Sequence, residues 1–219
     1  MFPDCGTAYD QQTLQAPFWE TVCLPTDYRD IKMLITNLLN SLLQRLYCLD
    51  IPDVILLLVV ASCFLIYLHG RFSSNVLWHL LLGLLLICWA AAVTYTTLSS
   101  RSDGQSFICH MTIFHSYGEI LNGGNPEILR SNFMNIVLFY PAGLIIGMLL
   151  PRKWPSWLRC TLVTLLLAAM SIGIECAQYH FALGRCEIDD VLHNSAGALL
   201  GVLLSLYAIK YAANSAQKS

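Results

Sequence analysis

The sequence predicts an all-α fold: a polytopic membrane helix bundle of about five transmembrane helices, with an amphipathic helix near its N-terminus. Two observations carry this prediction. Hydrophobic residues fill 56% of the 219 positions and charged residues only 12%, about half the share usual in soluble domains. The apolar residues are also gathered into runs, each close to the ~20 residues that cross ~30 Å of hydrocarbon as a helix.

The first 52 residues stand apart. "MFPDCGTAYDQQTLQAPFWETVCLPTDYRD" is polar and contains three prolines; with no basic stretch leading into an apolar one, it does not read as a signal peptide. In residues 31–49, "IKMLITNLLNSLLQRLYCL", apolar side chains recur at 31, 34, 35, 38, 39, 42, 43, 46 and 49. That spacing makes one apolar stripe at helical period, suited to the membrane interface or to packing on neighbouring extracytoplasmic segments.

Five spans follow, near 53–69, 76–98, 132–150, 157–178 and 190–211, of which the first is the shortest. The expected organisation is an N-terminal segment over 1–52, an extra first span with its turn over 53–75, a four-helix domain over 76–211 and a tail over 212–219. Five spans place the N-terminus and the 99–131 and 179–189 loops on one side. The 70–75 turn, "PRKWPS" and the C-terminus share the other. Lys and Arg divide evenly between the sides, but all 14 acidic residues lie on the first. The short loop "PRKWPSWLR" carries three basic residues, the kind of segment that resists translocation. The expected topology is therefore N-terminus outside and C-terminus cytoplasmic. Trp78, Trp154 and Trp157 read as interface belts.

That topology puts Cys5, Cys23, Cys48, Cys109 and Cys186 outside, where disulfides persist, with their connectivity open. Cys63, Cys88, Cys160 and Cys176 fall in or near apolar runs and read as small hydrophobes.

Polarity is concentrated in "IECAQYHFALGRCEIDDVLHNSAGALLG", residues 174–201. Asp190 and Asn194 share a helix face that continues to Gly197 and Gly201, and Asp189 and His193 share another. Gly143 and Gly147 repeat the small-residue spacing in the third span, with Asn135 two turns earlier, and Glu175 and Gln178 lie at the outer end of the fourth. Such glycine pairs let helices approach closely. Asn135, Glu175, Gln178, Arg185, Asp189, Asp190 and Asn194 thus outline a polar pocket opening to the outside. Ionisable groups at that depth are costly and mark functional candidates. The 99–131 loop brings Arg101, His115, Tyr117, Glu119 and Arg130 to the same side, and its "FICHMTIF" can dip into the interface. Arg101, Arg130 and Arg185 offer planar forks of donors for phosphate or carboxylate. The bland alternative is a network that only fixes helix register, with one of Asp189 and Asp190 serving as the N-cap of the last helix. His115, His180, His193, Cys186 and Asp190 match no known zinc-ligand spacing, so no metal or other cofactor is expected.

At these residues the chain resembles the VanZ-like family of bacterial membrane proteins. The shared pattern is Asn135, "FYPAG" at 139–143, Glu175, Gln178, Arg185, Asp189, Asp190, Asn194, Gly197 and Gly201. The resemblance covers roughly 76–210 and leaves the first 75 residues outside. It implies a bacterial plasma membrane and a link to glycopeptide resistance of the teicoplanin type, without an established reaction. Three readings follow. The first is a binder of a membrane lipid, a lipid-linked cell-wall precursor or a lipophilic glycopeptide antibiotic at the outer pocket. The second is a membrane enzyme acting on a lipid-linked or glycopeptide substrate through Glu175 and Asp189 or Asp190. The third is a structural or scaffold protein. The first is preferred because no nucleophile–base pair, phosphate loop or metal site is apparent. A transporter fits poorly, since no inverted repeat is visible. Nothing in the charge pattern points to nucleic acid.

Overall fold

The computed structural model describes the chain from residue 31 onward, except 32, 35, 39–40, 42–48, 100–107, 124, 126, 182, 184 and 217–219 and the side chains of 99, 108, 109, 185 and 212–216. Within the expected 31–49 helix, residues 31, 33, 34, 36–38 and 41 are helical; the remainder of that helix, with Cys5, Cys23, Cys48 and Arg101, lies outside the described residues. By its contacts the chain divides into two units, Met1–Val59 and Val60–Ser219. The boundary falls inside the first long helix, and the second unit contains every residue of the polar cluster.

The elements run α1 (Ile51–Phe72), α2 (Val76–Thr94), a π-helical turn (Tyr95–Ser99), β1 (Ile108–His110), α3 (His115–Leu121), α4 (Glu127–Leu149), α5 (Ser156–His180), β2 (Arg185–Glu187) and α6 (Ile188–Ala216). Among the described residues, five helices are long and apolar enough to cross a membrane, at 51–72, 76–98, 127–149, 156–180 and 188–211. The fold is an all-α membrane bundle. Each span except the second begins earlier than the apolar pattern alone suggests. The added residues at the starts of α4 and α6 are polar, and they carry the cluster described below. Among the described residues β1 pairs with β2, in parallel, aligning Cys109 with Cys186 and His110 with Glu187. Three residues per strand are too few for a period-two pattern to show in the sequence.

The centre of the bundle is the contact between α4 and α6. Both helices begin at the same end, and they run parallel with their backbones touching. A Cβ added at Gly143 would strike the carbonyl of Ala198, and one at Gly147 would strike Ser205 Oγ. From the other side, Gly197 faces the carbonyl of Ile136, and Gly201 faces that of Tyr140. The glycines of the two helices therefore serve one another. In lipid, where apolar burial does not drive helix association, such close backbone contact supplies the van der Waals attraction that does.

Around this seam Val93, Phe139, Ala142, Val163, Leu167 and Val202 form one buried cluster, and Trp78, Leu82, Leu144, Ile145 and Met148 form another. Side chains of neighbouring helices donate to carbonyls of α4 at two points, beside its proline and near its end. Pro141 has no N–H for the carbonyl of Val137, and in the same turn the carbonyl of Leu138 accepts the indole N–H of Trp89 at 2.6 Å. That indole also meets Phe139 edge-on, centroids 5.6 Å apart. Near the end of α4, buried Arg159 donates to the carbonyl of Gly147, a cation at the negative end of a helix.

Gly201→Ala is expected to destabilise the protein by about 1–3 kcal/mol through overpacking of the seam. Gly173→Ala, on the same type of helix but with nothing within 4 Å of its added Cβ, is expected to be neutral or stabilising by up to about 1 kcal/mol. Thermal unfolding of the two purified full-length variants in detergent checks the contrast.

Candidate functional site

Polar side chains collect at the end of the bundle where α4 and α6 begin. The sequence places Asp189 and Asp190 in the first turn of α6, since the helix opens at Ile188. Neither is the N-cap of that helix, which corrects the simplest expectation for one of them. Asp189, 2% exposed, instead reaches across to the start of α3. Its Oδ1 accepts the backbone N–H of Phe114 at 2.6 Å, and its Oδ2 accepts the N–H of Ser116 at 2.9 Å and its hydroxyl at 2.6 Å. A carboxylate from one helix thus satisfies the orphan donors of another. Phe114 needs this support, because its backbone is left-handed, at φ 63°, a conformation costly for a bulky side chain.

The network continues from there. Asn132 donates to Ser116 Oγ at 3.0 Å, and Tyr117 Oη lies 2.9 Å from His193 Nε2, one turn beyond Asp189. Asn135, one turn after Asn132 on α4, donates to Asp190 Oδ1 at 2.7 Å. Glu175, 7% exposed, accepts the backbone N–H of Glu187 at 2.9 Å, which ties α5 to β2. Gln178, 1% exposed, donates to the carbonyl of Thr97 at 3.0 Å. Thr97 stands in the π-helical turn at the end of α2, where a widened turn frees carbonyls from the regular ladder. Asn194 donates to Ser171 Oγ at 2.8 Å, joining α6 to α5.

Of the seven cluster residues expected from the sequence, the structure brings Asn135 to Asp190 directly. It gives Glu175, Gln178, Asp189 and Asn194 separate partners along the same end. Arg185 is present through its backbone in β2, and its side chain lies outside the description. Among the loop residues, Tyr117 joins the network. His115 stacks on His110 with centroids 4.0 Å apart and sits 3.8 Å from Glu119. Arg130 is half-buried in the first turns of α4. Ser116, Asn132, Ser171 and Thr97 were not singled out from the sequence. Asn132 had a signal, its position three before Asn135 on the same helix face; the other three had none. Among the described residues, no three His, Cys, Asp or Glu side chains converge as a metal site would need.

Beside the network, a broad cavity of about 840 Å³ is lined by Thr112, Phe114, His115, Glu119, Asn122 and Ile128, among others. This volume falls in the range of small-molecule sites. Ile113 and Phe114 in its lining are exposed, Phe114 at 63%, as are Met111 and Leu121 in the same segment. Within the network, Gln178 Oε1 and Asn194 Oδ1 are buried without a hydrogen-bond partner among the described residues.

Taken together, fold and cluster define a helical membrane protein whose polar end is capped by a short amphiphilic helix. A family model described as VanZ/LLP1 matches residues 76–210, and the chain belongs to that family. No curated protein and no solved structure matches the chain.

Asp189→Asn replaces an acceptor of three hydrogen bonds by an amide that turns a donor toward other donors. The expected cost is about 1.5–3 kcal/mol for a lost charge-assisted contact, with faster proteolysis within residues 111–123. Thermal unfolding and limited proteolysis of the full chain, beside Asp53→Asn, check both.

Proposed function

We propose that this protein contributes to glycopeptide resistance of the teicoplanin type by holding an amphiphile at the α3 end of the bundle. The amphiphile would be a membrane lipid, a lipid-linked cell-wall precursor or a lipophilic antibiotic. The observation that carries this reading is the fastening of α3 by Asp189. It fixes a loop of exposed apolar side chains beside a polar network and an adjoining cavity, so apolar and polar parts of one ligand find surfaces side by side. Membership of the VanZ/LLP1 family adds the link to glycopeptides. In this reading the α3 end faces the outside, in keeping with the 14 acidic residues expected there and the basic turn at the other end.

The enzymatic alternative is less well supported at Asp189. A carboxylate that already accepts three hydrogen bonds, 2% exposed, is a poor proton carrier. Asp189 is better read as a positioning residue; Asp190 and Asn135, half-buried and bonded to each other, stand at the same end as the cavity without lining it.

Cells expressing the chain are expected to tolerate teicoplanin better than cells without it. Asp190→Asn and Asn135→Ala, at matched membrane abundance, are expected to lose that tolerance. Tolerance unchanged in both variants would leave the cluster as helix glue. For orientation, a green fluorescent protein fused after Ser219 is expected to fluoresce, and an alkaline phosphatase fused there to be inactive; the reverse pair of results would invert the topology.

A further inference from the structure

The opposite end of the bundle has its own polar cluster. The chain has no acidic residue between Asp53 and Asp103, nor between Glu127 and Glu175, nor after Asp190. The turns that join α1 to α2 and α4 to α5, with the helix ends beside them, therefore carry Arg71, Arg152, Lys153 and Arg159 and no carboxylate. A cavity of about 260 Å³ lies between them, lined by His69, Ser73, Ser74, His79, Arg152 and the Met148–Pro151 segment.

The hydrogen bonds around His69 define what this cavity is built to accept. Trp78 Nε1 donates to His69 Nδ1 at 3.0 Å. An indole N–H can only donate, so Nδ1 is the acceptor and the imidazole carries its proton on Nε2. Nε2 lies 3.5 Å from Nη2 of Arg152, and guanidinium nitrogens also only donate. Two donors thus face one another, one of them on a side chain that is 5% exposed. Each is left to find its acceptor elsewhere, and buried donors are rarely left unserved. An anionic oxygen within reach of both serves them together, with one charge-assisted bond from the guanidinium. The surroundings suit the same guest. Ser73 and Ser74 supply rotatable hydroxyls, and both precede the N-terminus of α2, the positive end of that helix. His79 Nδ1 is held by the carbonyl of Asn75 at 3.0 Å, which directs the other nitrogen of that ring away from the backbone.

We infer that this cavity is an anion site that takes a phosphate group. A tetrahedral oxyanion offers acceptors in several directions, matching a guanidinium, an imidazole N–H and two hydroxyls. The volume is below the ~300 Å³ at which drug-sized ligand sites begin, which suits a phosphate and a few waters. Phe72, Val76 and Leu77, exposed and apolar beside it, provide a surface for acyl chains if the phosphate belongs to a lipid headgroup. The same chemistry would take free phosphate. This site and the α3 cluster stand at opposite ends of the bundle, and neither depends on the other.

The test uses the full-length protein in neutral maltoside micelles, with thermal unfolding followed as phosphatidylglycerol, phosphatidylcholine or inorganic phosphate is added at constant ionic strength. Phosphatidylglycerol is expected to raise Tm and phosphatidylcholine to do so far less. Arg152→Gln, at an exposed position, is expected to fold normally and to raise the half-saturating lipid concentration about tenfold or more. Stabilisation by inorganic phosphate with the same dependence on Arg152 would support the site and identify free anion as its source. No stabilisation by either phosphate form, or full stabilisation retained in Arg152→Gln, would overturn the proposal. Lys153→Gln, which removes the neighbouring charge from outside the cavity lining, distinguishes the site from general attraction of anions: it should leave the half-saturating concentration nearly unchanged. Equal weakening by Arg152→Gln and Lys153→Gln would also overturn it.

Discussion

Direct backbone contact between α4 and α6 is the constraint from which the rest of the structure follows. Four glycines, two from each helix, leave no room for a side chain between them. Because the helices run parallel in this contact, their polar first turns come to the same end. Asn132 and Asn135 on α4 then stand opposite Asp189, Asp190 and His193 on α6. Were the helices held apart by even one methyl group, the Asn135–Asp190 contact at 2.7 Å would stretch beyond hydrogen-bonding reach. The seam is apolar and the cluster polar, yet the first sets the geometry of the second.

A second theme is that irregular backbone is completed from outside its own element. The orphan N–H groups of α3 meet a carboxylate from α6. The π-helical turn offers the carbonyl of Thr97 to Gln178, and the proline turn of α4 offers that of Leu138 to Trp89. In a hydrocarbon medium with no water to serve them, such groups must be satisfied within the protein. Each repair also joins two elements: α3 to α6, α2 to α5, α2 to α4. The polar end is therefore held together by a few specific bonds rather than by general packing.

These facts explain what the sequence could and could not disclose. The five spans were legible because their apolar residues are gathered into long runs, a pattern no globular domain of this length requires. The glycines and the polar residues of 174–201 were legible as types at helical spacing. What they touch was not. Asp189 bonds to a residue 75 positions away through that residue's backbone N–H, and a backbone group leaves no mark in a sequence. The same holds for Gln178 and Thr97, and for the three-residue strands that align Cys109 with Cys186. His69 looks like an ordinary member of an apolar run, and Trp78 reads as an interface residue. Only their 3.0 Å contact reveals the proton on His69 Nε2 and the donors confronting one another at that end.

The central claim is that the α3 end of the bundle is a binding surface built by Asp189 and the α4–α6 seam. Hydrogen–deuterium exchange of the full-length protein in lipid nanodiscs, with and without teicoplanin, addresses it most directly. The account predicts slowed exchange within residues 108–121 and 185–194 on addition of the antibiotic, and little change at 150–156. Unchanged exchange in both α3-end segments, or protection confined to the opposite end, would contradict it.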